Sequence, residues 1–310
     1  MSHAPGEDPS ERVYIRAPPV SASWARARKR FALPPRCTRI DPDAMLENIN
    51  LKKKLSREDY KLALPGLQQR LYDLEKACWE YGIPTVIVFE GWDAAGKGTA
   101  ISALTQRLDP RGFKLHPVTA ARTYEQQRPW LWRFWLKVPN RGEMVIFDRS
   151  WYGRVLEDRV ERNVPEKAWR DAYRDIVEFE RMLADDGAAI LKFFLHISRK
   201  EQKDRFQDIE KDPLEAWRVT DADWARHKKY DEYLSATEEM LELTESEFAP
   251  WTIVEATSKW QARKRIFETI TGAMERRLGT NAPPRVEVSG AAAKDAELRE
   301  AMESLGGGGL

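Results

Sequence analysis

Cysteine and histidine are scarce in this 310-residue chain, with two and four copies. Cys37 and Cys78 exclude a disulfide framework and a cysteine zinc site, and they fit a reducing compartment. His116, His196 and His227 stand singly without metal-ligand spacing and read as structural. Net charge is almost absent at +1, so neither nucleic acid nor membrane is expected as a partner. Long apolar runs are missing as well. None approaches the roughly 18 residues of a membrane span, and the N-terminus lacks a signal-peptide core. The cytoplasm is the expected compartment. What remains is an ordinary globular composition, 42% hydrophobic and 33% charged. Its length suits one α/β domain of about 230–250 residues with tails, or two small domains.

Residues 1–44 are rich in Pro, Arg and Ser and read as an extended arm. A domain follows over 45–278, and a flexible, Gly-rich tail over 279–310. Leu67, Leu71, Leu74, Cys78 and Tyr81 recur at helical spacing before Gly82, a C-cap signal. Strands are predicted at 85–89, 115–119, 144–148, 189–196 and 251–254. Helices are predicted at about 97–108, 130–137, 165–184, 200–210, 221–243 and 259–278, with Thr220 and Asp223 as a capping box. Strands alternating with helices imply a parallel sheet covered on both faces, with ligands at the carboxyl ends of the strands.

The segment Gly91-Trp92-Asp93-Ala94-Ala95-Gly96-Lys97-Gly98-Thr99 follows an apolar, β-branched run and precedes a helix. That is the layout of a P-loop, in which backbone N–H groups and a helix N-terminus cradle phosphate. Gly91, Ala94, Ala95, Gly96, Gly98 and Thr99 are therefore expected around phosphate, with Lys97 reaching an oxygen and neutralising charge during transfer. Two features depart from the usual loop. Gly98 stands where a Ser or Thr would ligate Mg²⁺, and Thr99 lies about 100° further round the helix. An acid, Asp93, sits inside the cradle. Asp148, at the end of the strand 144–148, is a second carboxylate near the same sheet edge. Either Asp93 and Asp148 share Mg²⁺, or Asp93 orients the attacking phosphate.

Arg149, Arg154 and Arg159 follow Asp148 and suit bidentate phosphate contacts. Between Arg107 and Arg162 twelve residues are Lys or Arg against seven Asp or Glu, a local surplus hidden by the neutral total. Arg133 and Lys137 share a helical face within it. A track of cations leading into a phosphate site suits a long polyanion better than a single nucleotide. Arg199, Lys200, Lys203 and Arg205 follow the strand 189–196, where a mobile lid would close over phosphates; a plain surface helix is the other reading.

Glu90–Gly98, the Trp130-Leu131-Trp132-Arg133-Phe134-Trp135 run and Phe147-Asp148-Arg149-Ser150-Trp151-Tyr152-Gly153-Arg154-Val155-Leu156 together resemble the polyphosphate kinase 2 family. The run 191–198 and the segment through Asp212-Pro213-Leu214 share that likeness, which covers about 45–275. The resemblance implies a three-layer α/β/α P-loop kinase fold with a parallel sheet and a helical lid. It also implies Mg²⁺ dependence, with Mn²⁺ as an alternative. By position Asp93 and Lys97 match the family's Walker A acid and lysine, Asp148 and Arg149 its Walker B pair, and Arg205 a lid arginine. Within the family the motifs look most like the class that phosphorylates AMP from inorganic polyphosphate. Glu157 and Asp158 depart from the Val-Glu often found at those positions. The resemblance implies transfer of a terminal phosphoryl from polyphosphate to a nucleoside mono- or diphosphate, and a homo-oligomer, dimer or tetramer, is expected. Polyphosphate-dependent phosphorylation of ADP or GDP, an ATP-dependent nucleotide kinase and a non-catalytic polyphosphate-binding protein are the alternatives.

Overall fold

β1 (Thr85–Gly91) is buried along almost its whole length, as a strand covered on both faces of a parallel sheet must be. In the computed structural model, which describes residues 46–284, it is the centre of a five-stranded sheet ordered β2-β3-β1-β4-β5. β2 (Phe113–Pro117) and β3 (Met144–Asp148) lie to one side of it. β4 (Ala189–His196) and β5 (Trp251–Glu255) lie to the other. Every neighbouring pair is parallel. Phe89 stands opposite both Asp148 and Phe193, so β1, β3 and β4 deliver their carboxyl ends to one place. The chain leaves β1 toward β2 and later crosses to β4 and β5 on the opposite side. In open α/β sheets such a reversal opens a ligand crevice.

Two groups of helices flank the sheet. α1 (Arg57–Glu80) and α2 (Lys97–Thr105) both pack against α10 (Lys259–Leu278). The short α5 (Glu157–Val160) joins α6 (Glu166–Asp185) and α9 (Tyr230–Leu243) in the second group. α6 buries Trp169, Ala172, Tyr173, Ile176, Phe179 and Leu183, the three-and-four spacing of an amphipathic stripe. α7 (Arg199–Lys211) and α8 (Asp221–Lys228) form an arm beyond β4. Single-turn helices α3 (Thr123–Gln126) and α4 (Trp132–Trp135) sit between β2 and β3.

The arm expected over 1–44, and the expected tail beyond Pro284, lie outside the described residues. Several boundaries differ from the sequence reading. α1 starts at Arg57 with Ser56 as N-cap and continues through Pro65, because its long contact with α10 outweighs one lost backbone bond. β2 pairs two residues earlier than expected, Phe113 with Met144. The helix expected over 130–137 shrinks to the single turn α4. The helix expected over 221–243 breaks at Lys229, whose side chain turns to Glu161. The Thr220/Asp223 capping box forms as expected, and Gly82 follows α1 in a left-handed conformation. Among the described residues no helix is long and apolar enough to cross a membrane.

Candidate active site

The loop after β1 has glycine where the backbone demands it. A Cβ on Gly91 would lie 2.4 Å from the Leu195 carbonyl oxygen of β4, and Gly91 itself has φ +134°. Gly96 has φ +99° and leads into α2, whose first residue is Lys97. Ala94 also adopts a left-handed conformation. Gly98 has open space around it, so its lack of a side chain is not forced by sterics. Trp92 clamps the loop from below. Its Nε1 donates to His196 Nδ1 at 3.0 Å, and its ring stacks on Tyr230 at 4.0 Å. Burial holds His196 down to about 4, so the ring is neutral and free to accept that bond.

Asp93 is the electrostatic centre of the loop. One carboxylate oxygen receives Arg149 Nη2 at 2.6 Å, the other Arg226 Nε of α8 at 2.7 Å. Burial pushes its carboxyl up, but the Lys97, Arg149 and Arg226 charges outweigh burial and hold it below the usual range. Lys97 is buried and folds back, donating to the carbonyls of Gly91 at 2.7 Å and Trp92 at 3.0 Å. Burial lowers its pKa, with Asp93 and Asp148 opposing. Arg149 occupies a left-handed backbone position and extends its other terminal nitrogen to Glu157 at 3.1 Å.

Two clefts meet at Asp93 and Arg149. The larger, about 730 Å³, is lined by the loop from Asp93 to Ala100 and by Asp148, Arg149 and Arg205. Lys54, Arg218, Lys259 and Arg263 line it as well. The N-termini of α2 and α10, at Lys97 and Lys259, both open into it. The smaller, about 70 Å³, lies between Trp92, Arg149, Gly153, Leu156 and Glu157 on one wall and Gln202, Arg226, Tyr233 and Thr237 on the other.

The structure thus gathers Gly91, Asp93, Ala94, Ala95, Gly96, Lys97, Gly98, Thr99, Asp148, Arg149 and Arg205 around the two clefts. Arg205 is fully engaged: Nε pairs with Glu201, while its terminal nitrogens bond the carbonyls of Ala94, Ala256 and Thr257 at 2.9, 2.8 and 3.1 Å. It fastens α7 to the loop. Thr99 Oγ1 turns to the Gly96 carbonyl. Arg133, Arg154 and Arg159, expected at phosphate, line neither cleft. Arg133 bonds the Thr119 carbonyl and faces Glu125. Arg154 pairs with Asp158 and covers Trp130; Arg159 pairs with Glu239 and covers Trp169. Arg154 and Arg159 follow Asp148 closely in sequence, but the turn at residues 151–154 intervenes and sets Arg159 against Tyr173 and Trp169 of α6, while Arg133 precedes β3 and is held by the Thr119 carbonyl. Arg226, Gln202, Tyr233 and Lys54 were missed, since each stands far in sequence from the loop and belongs to no spacing pattern.

Fold and clefts define an α/β protein with a basic crevice at the carboxyl edge of a parallel sheet. Residues 54–281 match the polyphosphate kinase 2 (PPK2) family profile, and the chain belongs to that family. It is 42% identical over 232 residues to the polyphosphate:AMP phosphotransferase of Pseudomonas syringae pv. tomato, covering 75% of this chain and 47% of the relative. It is 39% identical to the AMP/ADP-polyphosphate phosphotransferase of Meiothermus ruber, over 64% of this chain and 74% of that one. The solved polyphosphate kinase 2 of Arthrobacter aurescens TC1 superposes with a TM-score of 0.73 at 29% identity, over 82% of this chain and 92% of that structure. The chain spans about half the length of the first curated relatives it matches.

Proposed function

We propose that this chain transfers the terminal phosphoryl group of inorganic polyphosphate to AMP, giving ADP. One observation carries the reading: the larger cleft joins the glycine loop and Lys97 to Lys54, Lys259 and Arg263, for which no carboxylate partner is found within salt-bridge distance among the described residues. A cleft with that much uncompensated positive charge and two helix N-termini suits a chain of phosphates longer than a nucleotide carries. The similarity to polyphosphate:AMP phosphotransferases favours AMP as acceptor.

In this reading the fold is a P-loop kinase fold and α7–α8 form its lid. The donor lies in the larger cleft and the acceptor phosphate in the smaller, with Arg149 at their junction. An acceptor oxygen attacks the terminal phosphorus in line, and the bridging oxygen departs on the shortened polyphosphate. A phosphate monoester with a second pKa of about 6 is already ionised at neutrality, so no general base is needed. The work falls to positioning and to cations. Lys97 leaves its loop carbonyls for a phosphate oxygen, and Arg149 and Arg226 exchange Asp93 for phosphate oxygens.

Among the described residues no group of three or more His, Cys, Asp or Glu forms a metal cluster. Asp93 and Asp148 nevertheless line the same cleft, and one or two carboxylates completed by phosphate oxygens is the donor set Mg²⁺ commonly takes. The residues fit that ion, and Asp93 and Asp148 would hold it. When bound it supplies neutralisation of the transferring phosphoryl group.

Purified protein with polyphosphate and AMP, and separately with polyphosphate and ADP or GDP, tests the reading. ADP formed from AMP is the expected result. Product from diphosphates alone would overturn the choice of acceptor.

A further inference from the structure

Arg149 reaches the junction of the clefts from a left-handed backbone position, and the residues after it are held in an unusual way. Ser150, Trp151 and Tyr152 are all buried, and each spends its polar atom on a buried partner. Ser150 Oγ donates to Glu90 at 2.7 Å, at the end of β1. Trp151 Nε1 at 3.0 Å and Tyr152 OH at 2.7 Å both donate to the same oxygen of Glu180 on α6. The other oxygen of Glu180 receives Lys192 Nζ of β4 at 2.9 Å. Lys192 also donates to Tyr152 OH and to the Thr244 carbonyl, each at 2.9 Å.

Both charges are entirely buried, with side-chain exposures of 0%. A buried ion pair is a poor source of stability, since apolar residues of the same shape often do as well or better. This pair does something apolar residues could not. It provides acceptors for the indole N–H and the phenol O–H of consecutive residues, and so fixes the turn at residues 151–154 in one orientation. The turn and the residues after it line the smaller cleft with Gly153, Leu156 and Glu157, and Arg149 lines it as well.

We propose that Glu180 and Lys192 are positioning residues for the smaller cleft: through Trp151 and Tyr152 they hold the segment carrying Arg149, Gly153, Leu156 and Glu157 in register with Asp93. The assignment of that cleft to the acceptor phosphate rests on the function proposed above.

The test uses the full chain with Trp151→Phe/Tyr152→Phe, which keeps an aromatic ring at each position and both members of the ion pair but removes the tethers, together with part of a buried indole. Tyr152→Phe alone is a milder second variant, which serves if the double variant fails to fold. Trp251→Phe is the packing control: it also shortens a buried indole, one that packs on Tyr152 and under Lys192 Nζ, and loses the Nε1 bond to Thr244 Oγ1, but it leaves both tethers to Glu180 in place. Hydrogen exchange of residues 149–157 and the KM values for AMP and polyphosphate are read together. The tether variants should exchange at least tenfold faster in that segment and raise the KM for AMP about tenfold, with the KM for polyphosphate within twofold. The control should lower the melting temperature without either change. Unchanged exchange at 149–157, an unchanged KM for AMP, or an equal rise in both KM values would overturn the proposal. Wild-type protein that makes no ADP would sink the proposed function instead, and the exchange measurement would still decide whether the pair holds the segment.

Discussion

Asp93 shows how a residue that looks misplaced in a phosphate cradle becomes intelligible once its neighbours are known. A carboxylate facing phosphate would repel it, yet two guanidiniums and a buried lysine surround this one. It gathers three cations where the two clefts meet, and in the proposed reaction they would turn to phosphate oxygens. Asp93→Asn and Lys97→Ala should each lower turnover by about 10²–10³ or more, the scale for losing one preorganised charge contact, with an unchanged circular-dichroism spectrum. Near-normal turnover in either variant would remove these residues from the site. Burial raises Glu75 of α1 from 4.5 to about 7, against the bond from the Asp109 N–H. The folded protein then binds this proton more tightly than the unfolded chain. Its stabilising contribution is complete below about pH 4.5 and is lost as pH rises through about 7. The difference amounts to about 3 kcal/mol by pH 8. Glu75→Gln should flatten the fall in stability between pH 5 and 8, as measured by denaturant unfolding at each pH. A variant with the wild-type pH slope would refute it. The sequence pointed to Asp93 by its place in the loop; it carried no sign of Glu75, whose pKa is set by burial.

At the scale of elements, α7 and α8 bring Gln202, Arg205 and Arg226 to the glycine loop. Arg205 joins α7 to the loop through the carbonyls of Ala94, Ala256 and Thr257, a spread that a planar fork can reach and a single ammonium cannot. Arg205→Lys should therefore lose nearly as much activity as Arg205→Ala, although it keeps the charge. Full activity in the lysine variant would show that charge alone suffices. α8 carries Arg226 and begins with a capping box in which Thr220 Oγ1 accepts the Asp223 N–H. Thr220→Ala should weaken this helix by about 1 kcal/mol. Faster amide exchange confined to α8, with a lower kcat, would report it, and unchanged exchange would count against the cap. The cap was legible in the Thr220-to-Asp223 spacing. The break at Lys229 was not, because it is imposed by Glu161 and by Tyr230, which stacks on Trp92.

For the whole molecule, a net charge of +1 conceals a segregated surface. Lys54, Lys259 and Arg263 come from distant parts of the chain to the same cleft, and none has a carboxylate partner among the described residues. Replacing all three by alanine should raise the KM for polyphosphate at least tenfold and leave that for AMP within about twofold. The wild-type KM for polyphosphate should also rise with salt more steeply than that for AMP, because screening weakens a long polyanion's many contacts together. Equal salt dependence for both substrates would place the donor elsewhere. The succession of strands and helices, the glycine loop with Asp93 inside it, Asp148 at a strand end and the family are all legible in the residues alone. Those features are local: backbone conformation, helix capping and burial periodicity act over a few residues. Which cations line the clefts depends on the folded chain. It turned Arg133, Arg154 and Arg159 away to neighbouring carboxylates and rings, and brought in Arg226 and Lys54 from 133 and 39 positions along the chain from Asp93. It also placed Lys192 and Glu180, unremarkable in sequence, beneath the turn after Arg149. The physical reason is that a cleft's charge depends on distances between side chains in space, and those are set by sheet order and helix packing.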